Sequence, residues 1–177
     1  MTKSRSGFTL VELAIVIAVI GIIAAIVLGS YNAFQQRSRD TKRLTDVANI
    51  AKALEIYYDE VGSYPDPTGT NSTVNSSWYS SDTTSWNTFN SELQSVQAID
   101  KLPIDPKNNV GSVTNAGNFN YAYYSGQYCG VPNAQMYLIL YRLESGEVKT
   151  FSDGECTAPT LGPNYSSSYY RNVKTGL

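Results

Sequence analysis

Few residues in this sequence are placed to do chemistry, and they are far apart. Glu12 stands alone in an apolar run that extends from Phe8 to Leu28. Gly7 and Phe8 form the junction between that run and a short leader carrying Lys3 and Arg5. Cys129 and Cys156 are the only cysteines and show no CxxC spacing. Asp105 lies in a corner between Pro103 and Pro106, and Asp153 and Glu155 flank Gly154. The 177 residues contain no histidine, which removes Ser-His and Cys-His catalysis and the usual zinc ligand. There is no phosphate-cradling loop and no nucleophile with a plausible base. The expectation is a protein that is not an enzyme and carries no cofactor.

Glu12 poses the sharpest question. From Phe8 to Gly29 an α-helix is about 33 Å long, enough to cross a bilayer. A carboxylate in such a segment costs roughly 2.5–3.5 kcal/mol even on the lenient insertion scale. Glu12 therefore needs a partner, and its neighbour at the basic leader suggests one. The run Lys3-Ser-Arg-Ser-Gly7 followed by Phe8-Thr-Leu-Val-Glu12 resembles the class III signal peptide of type IV pilins and type II secretion pseudopilins.

That resemblance implies cleavage after Gly7 by a prepilin peptidase and N-methylation of Phe8. It implies that Glu12 meets the N-terminal ammonium of a neighbouring subunit, which neutralises two charges that are each costly in lipid. It further implies a single-pass precursor in the inner membrane with its C-terminal domain outside, and an extracellular filament after assembly. The implied partners are other copies of the chain, the peptidase, an inner-membrane assembly platform, and membrane lipid before assembly.

Composition agrees with export. Charged residues make up 16% of the chain, and there are 14 tyrosines. Removing Lys3 and Arg5 with the leader takes the net charge from −2 to −4, with no general basic signature for nucleic acid. In an exported domain, one Cys129–Cys156 disulfide is the simplest reading; two buried free thiols is the alternative. One signal conflicts. Arg37, Arg39, Lys42 and Arg43 follow the apolar run, and a positive-inside count would leave the large domain in the cytoplasm. The cleavage motif and the cysteine pair favour export.

The elements that carry these residues follow from periodicity. Residues 1–7 are the leader, and 8–29 the hydrophobic assembly helix. Residues 30–62 continue that helix in amphipathic form, with Leu44, Val47, Ala51, Leu54, Tyr57 or Tyr58, and Val61 as an apolar stripe. Gly21 to Gly29 is the stretch expected to adapt if the helix loosens in a filament, with close helix packing as the alternative. Gly62 and Pro65 end the helix. The charged residues Arg39 to Asp46 are expected mostly off the stripe. The Arg37–Arg43 cluster reads as a solvated face, or as a contact for acidic surface or lipid headgroups.

Residues 63–110 are loop with one short helix, Trp86 to Ile99, and Trp78 and Trp86 are expected to pack locally. Asp105 reads as a turn cap. Residues 111–177 supply the sheet: a strand at 118–124, a central strand at 135–143, and a hairpin at Ser145-Gly146 that pairs Val148–Phe151 back. The tail carries tyrosines with Arg171 and Lys174. It reads as flexible or edge structure, and stacking on single-stranded DNA leaves nucleic acid an open partner.

The fold class expected is α+β, a long N-terminal helix packed on a small three- to four-stranded antiparallel sheet, the pilin fold. The exits Gly-x-Tyr-Pro at 62–65 and Leu-Pro-x-Asp-Pro at 102–106 resemble the major-pseudopilin group. In some of those proteins a calcium site lies near the position of Asp153 and Glu155. Two carboxylates are too few for such a site without backbone carbonyls. The function expected is a structural subunit of a type IV pilus-like filament. The alternatives are a secretion pseudopilin, or a minor or tip subunit that adheres or binds DNA.

Overall fold

The computed structural model describes residues 7–126, 134–147, 150–153 and 168–173, and the side chains among them except those of 26–30, 150–153 and 168–173. The chain divides into two compact units, Met1–Ser38 and Arg39–Leu177. Helix α1 runs Leu10–Val61 and passes Gly21 and Gly29 without a break. It stops at Gly62, whose φ of 81° puts it in the left-handed region, and whose N–H donates to the Tyr58 carbonyl at 2.7 Å. A Cβ is disfavoured in that conformation, so glycine suits the stop.

In the second unit, the helix buries Val47, Ile50, Ala51, Ala53 and Leu54 in one core cluster with Tyr121, Tyr123, Tyr137, Ile139 and Tyr141 of the sheet region. The α+β arrangement of a long helix on a small sheet is thus present. The helix face differs from the expected stripe in three ways. Ile50 and Ala53 join it, Val61 is exposed, and the charged residues Asp40, Arg43 and Asp46 are buried with it. Helix α2, Ser85–Ser95, lays Trp86, Phe89 and Leu93 against the same core. It ends four residues before Ile99 because Gln97 turns left-handed (φ 57°). Gln97 N–H then donates to Gln94 O, and Ala98 N–H to Leu93 O, which closes the carbonyl end.

Among the described residues the sheet has five strands: β1 Tyr79–Ser80, β2 Ala122–Ser125, β3 Met136–Tyr141, β4 Thr150–Asp153 and β5 Ser168–Val173. Their order is β1-β2-β3-β5-β4. β3 is central, as its composition suggests. Tyr137, Ile139 and Tyr141 face the helices, and Met136, Leu138 and Leu140 share a second cluster with Trp78 and Val113. Burial on both faces explains why β3 reads as an apolar run rather than an alternation.

The expected hairpin across Ser145-Gly146 does not form. β5 occupies the β3 edge in antiparallel register, Met136↔Val173 through Tyr141↔Ser168, and β4 pairs in parallel with β5 on its outer side. Residues 168–173 of the tail therefore form an inner strand and not edge structure. Tyr169, Tyr170 and Val173 are strand formers, and a six-residue β3 offers six partners where β4 has only four residues. Trp78 and Trp86 pack locally as expected. Trp86 Nε1 donates to the Pro103 carbonyl at 3.1 Å.

Candidate functional site

Glu12 sits in the first turn of α1 and its carboxylate is engaged locally. Oε2 accepts from Thr9 N and from Thr9 Oγ1, each at 2.8 Å, while Glu12 N donates to Thr9 Oγ1 at 3.2 Å. Thr9 and Glu12 satisfy each other's amides in the reciprocal pattern that Thr-x-x-Glu makes at a helix start. Both Thr9 bonds use Oε2, so the other oxygen can take a further donor without breaking the cap. The Thr-Leu-Val-Glu spacing is the sequence signal for this cap, separate from the charge that singles out Glu12.

Around this carboxylate the helix is bare of partners. Phe8 is 78% exposed, Leu10 87%, and Val11, Leu13, Ile15, Ile17, Ile20 and Ile22 are all exposed. Exposure on every side marks a helix meant for an apolar surrounding rather than for one packed face. Gly7 and Phe8 lie just before α1, both exposed. Among the described residues no helix is long and apolar enough to cross a membrane.

The second cluster of charge is in the Arg39–Leu177 unit. Arg43 has no solvent exposure. Its Nε and Nη2 donate to the two oxygens of Asp105 at 2.6 and 3.0 Å, and Nη1 donates to Asp40 at 2.8 Å and to Glu144 at 2.9 Å. Glu144 also receives Arg39 at 2.6 and 2.7 Å and Lys107 at 2.8 Å. Asp40 accepts the Glu144 and Ser145 backbone amides at 2.8 and 3.0 Å. The Phe119 ring lies 4.8 Å from the Arg43 guanidinium and 4.5 Å from Lys107 Nζ.

Three cations meet three carboxylates, so the buried charge is balanced. The cluster binds α1 to the proline corner and to the turn after β3. This corrects the reading of a solvated face or lipid contact for Arg39 and Arg43, which are engaged with carboxylates of the domain, while Arg37 and Lys42 stay exposed. Asp105 does cap its turn, accepting Lys107 N at 2.8 Å, and also anchors Arg43.

Burial works against the Arg43 charge, but its bonds to Asp105, Glu144 and Asp40 outweigh that and hold the guanidinium more firmly charged than usual. Hydrogen bonds from Arg39 above all, then Lys107 and Arg43, pull the Glu144 carboxyl down to about 2. A carboxyl depressed by folding stabilises the fold above its ordinary value and loses that contribution as pH falls through its folded value. The gap here corresponds to about 3 kcal/mol. Glu144→Gln is therefore expected to lose about that much at pH 7. The difference from the parent should shrink below pH 4.5 and vanish near pH 2. Urea midpoints across that range measure it.

Cys129, Cys156 and Glu155 lie outside the described residues. Asp153 ends β4, paired with Asn172 of β5. Among the described residues no group of three or more His, Cys, Asp or Glu is arranged to hold a metal. The structure thus brings Glu12 to Thr9, and Asp105 to Arg43. The pairing of Arg43 with Glu144 has no signal in the sequence, because 101 residues separate them and no local pattern links them.

The comparisons with known proteins fall on the N-terminal segment. The family model described as the prokaryotic N-terminal methylation motif matches residues 2–28. The chain is 40% identical over 60 residues to the type IV major pilin protein PilA of Myxococcus xanthus, covering 34% of this chain and 27% of that protein. It is 42% identical over 53 residues to a fimbrial protein of Pseudomonas aeruginosa, covering 30% and 34%. It is 35% identical over 66 residues to the type IV major pilin protein PilE1 of Neisseria gonorrhoeae, covering 37% and 40%. The chain matches less than half the length of each of these relatives. No solved structure matches it.

Proposed function

We propose, from an N-terminal segment that makes this chain a member of the type IV pilin family, that it is a structural subunit of a type IV pilus-like filament. The observation that carries this reading is an apolar helix start, exposed on all sides, with a single carboxylate in it. In this reading the precursor sits in the inner membrane through residues 8–29, with its C-terminal domain outside. Prepilin peptidase cuts between Gly7 and Phe8, and Phe8 becomes the methylated N-terminus. The apolar helices then leave lipid and pack together, with an assembly platform handling the subunits. Glu12 offers its unengaged oxygen to the ammonium of a neighbouring copy while Thr9 keeps the other.

Its relatives bear the names of pilin and fimbrial proteins, and like them the chain is a structural protein rather than an enzyme. The Gly-x-Tyr-Pro and Leu-Pro-x-Asp-Pro motifs support a second reading, a pseudopilin of a type II secretion system. Shearing intact cells separates the two. A pilus subunit is recovered in long fibres as a chain beginning at methylated Phe8. A chain that stays with the cell envelope, cleaved but never sheared off, overturns the pilus reading. A chain that keeps residues 1–7 overturns both.

A further inference from the structure

Beyond the apolar run, unit Met1–Ser38 carries a feature that assembly through Glu12 does not use. Tyr31 is 55% exposed and Phe34 69% exposed, and they stand three residues apart on one side of α1. Gln35 Nε2 donates to Tyr31 Oη at 2.9 Å, so the hydroxyl is held along the helix surface. Polarity changes sharply around them. Leu28 ends the apolar run, Ser30 follows, and Gln35, Gln36 and Arg37 come directly after Phe34.

Helical rise places Tyr31 about 4.5 Å and Phe34 about 9 Å beyond Leu28. A bilayer's headgroup zone extends roughly 5–8 Å past the hydrocarbon on each side. Tyr31 thus falls within the headgroup zone, at the depth where amphipathic aromatics concentrate, and the Phe34 ring stands at its outer edge. The sequence between Glu12 and Asp40 contains no acidic residue, so nothing there repels phosphate headgroups. At the other end of the span Phe8, 78% exposed, stands at the opposite boundary.

We propose that Tyr31 and Phe34 form an interfacial anchor that seats the helix among phospholipid headgroups on the side of the C-terminal domain. This rests on the reading of residues 8–29 as a bilayer-spanning segment. The anchor sets the depth of the span in the unassembled subunit, and withdrawal from the membrane must first pull these two rings out of the headgroup layer.

The test places one trifluoromethyl-phenylalanine label in the full-length chain at position 34, 20 or 45. The chain is reconstituted in vesicles of phosphatidylethanolamine and phosphatidylglycerol. Fluorine resonances are then broadened by nitroxide lipids labelled either at the headgroup or deep in the acyl chain. The expected result is several-fold stronger broadening at 34 from the headgroup label than from the deep one, the reverse at 20, and none at 45. Tyr31→Ser with Phe34→Ser should shift the depth profile of the label at 20.

A position 34 label as insensitive as 45, or as deep as 20, overturns the anchor while leaving the span intact. A label at 20 that the deep nitroxide never reaches overturns the span, and the anchor with it. A label at 34 that neither nitroxide broadens at any protein density, while 34-to-34 crosslinks form between chains, assigns the rings to a second copy of the chain, and also overturns the anchor.

Discussion

Arg43→Met is expected to destabilise the Arg39–Leu177 unit by about 3–5 kcal/mol, the usual consequence of removing one partner from a buried ion pair. The side chains of Arg43 and Asp105 are both fully shielded from solvent. Methionine fills much of the same volume, so the loss reports charge rather than a cavity. Asp105 would keep its bond from Lys107 N but lose both guanidinium bonds, and Asp40 would lose the guanidinium bond it accepts. The contact with Phe119 goes as well, worth about 0.5–1 kcal/mol. Thermal unfolding followed by circular dichroism on the full chain in detergent measures the loss. Arg43→Met combined with Asp105→Asn should recover a substantial part of it, because the stranded carboxylate is gone. Arg43→Lys should recover less than its charge suggests, because an ammonium cannot fill the two-pronged geometry. A melting point unchanged in Arg43→Met would mean that the cluster contributes nothing net.

Glu12→Ala is expected to insert in the membrane and be cleaved normally, yet to yield at least about tenfold fewer sheared fibres. The direction follows from which state carries the cost. In the proposed membrane-bound subunit the carboxylate is a burden of roughly 2.5–3.5 kcal/mol, eased by Thr9. In the proposed filament, assembly relieves that burden by pairing it with an ammonium. Alanine makes the membrane-bound state more comfortable and removes the gain on leaving it. About 1.4 kcal/mol of that difference already gives a tenfold change. Thr9→Val is the informative companion, since it removes the hydroxyl of the cap and leaves the carboxylate. Cap loss alone costs about 0.5–2 kcal/mol, so Thr9→Val should reduce fibres less than Glu12→Ala. Equal loss in the two variants would show that the cap, and not the pairing, is what assembly needs.

Legibility in the sequence varies with the range of the interaction. The long helix and its end at Gly62 can be read directly, because period and stop signal are local. The central strand can be read because a Tyr-Leu-Ile-Leu run has few other uses. The cap at Thr9 is local too, yet a lone acid in an apolar helix invites an electrostatic explanation first. Arg43 cannot be read. A basic cluster after an apolar span looks like surface until Asp105 and Glu144, 62 and 101 residues away, are brought to it. The order of the last strands is hidden for the same reason. A tight turn after β3 favours a hairpin locally, and only long-range pairing with β5 overrides it.

That strand order has a consequence for how the domain comes into being. Among the described strands β5 comes latest along the chain, yet it lies between β3 and β4. In the proposed exported subunit, a domain emerging on the far side of a membrane presents its segments in chain order. Until Ser168–Val173 arrives, β3 offers a full row of unpaired amides and carbonyls along a strand whose six side chains are all destined for burial. Such an edge is adhesive. The final strand thus serves as a seal of completeness. A chain interrupted before it carries an open sheet that quality-control proteases can find, and on the pilus reading only a fully delivered chain presents the closed body that a fibre can accept.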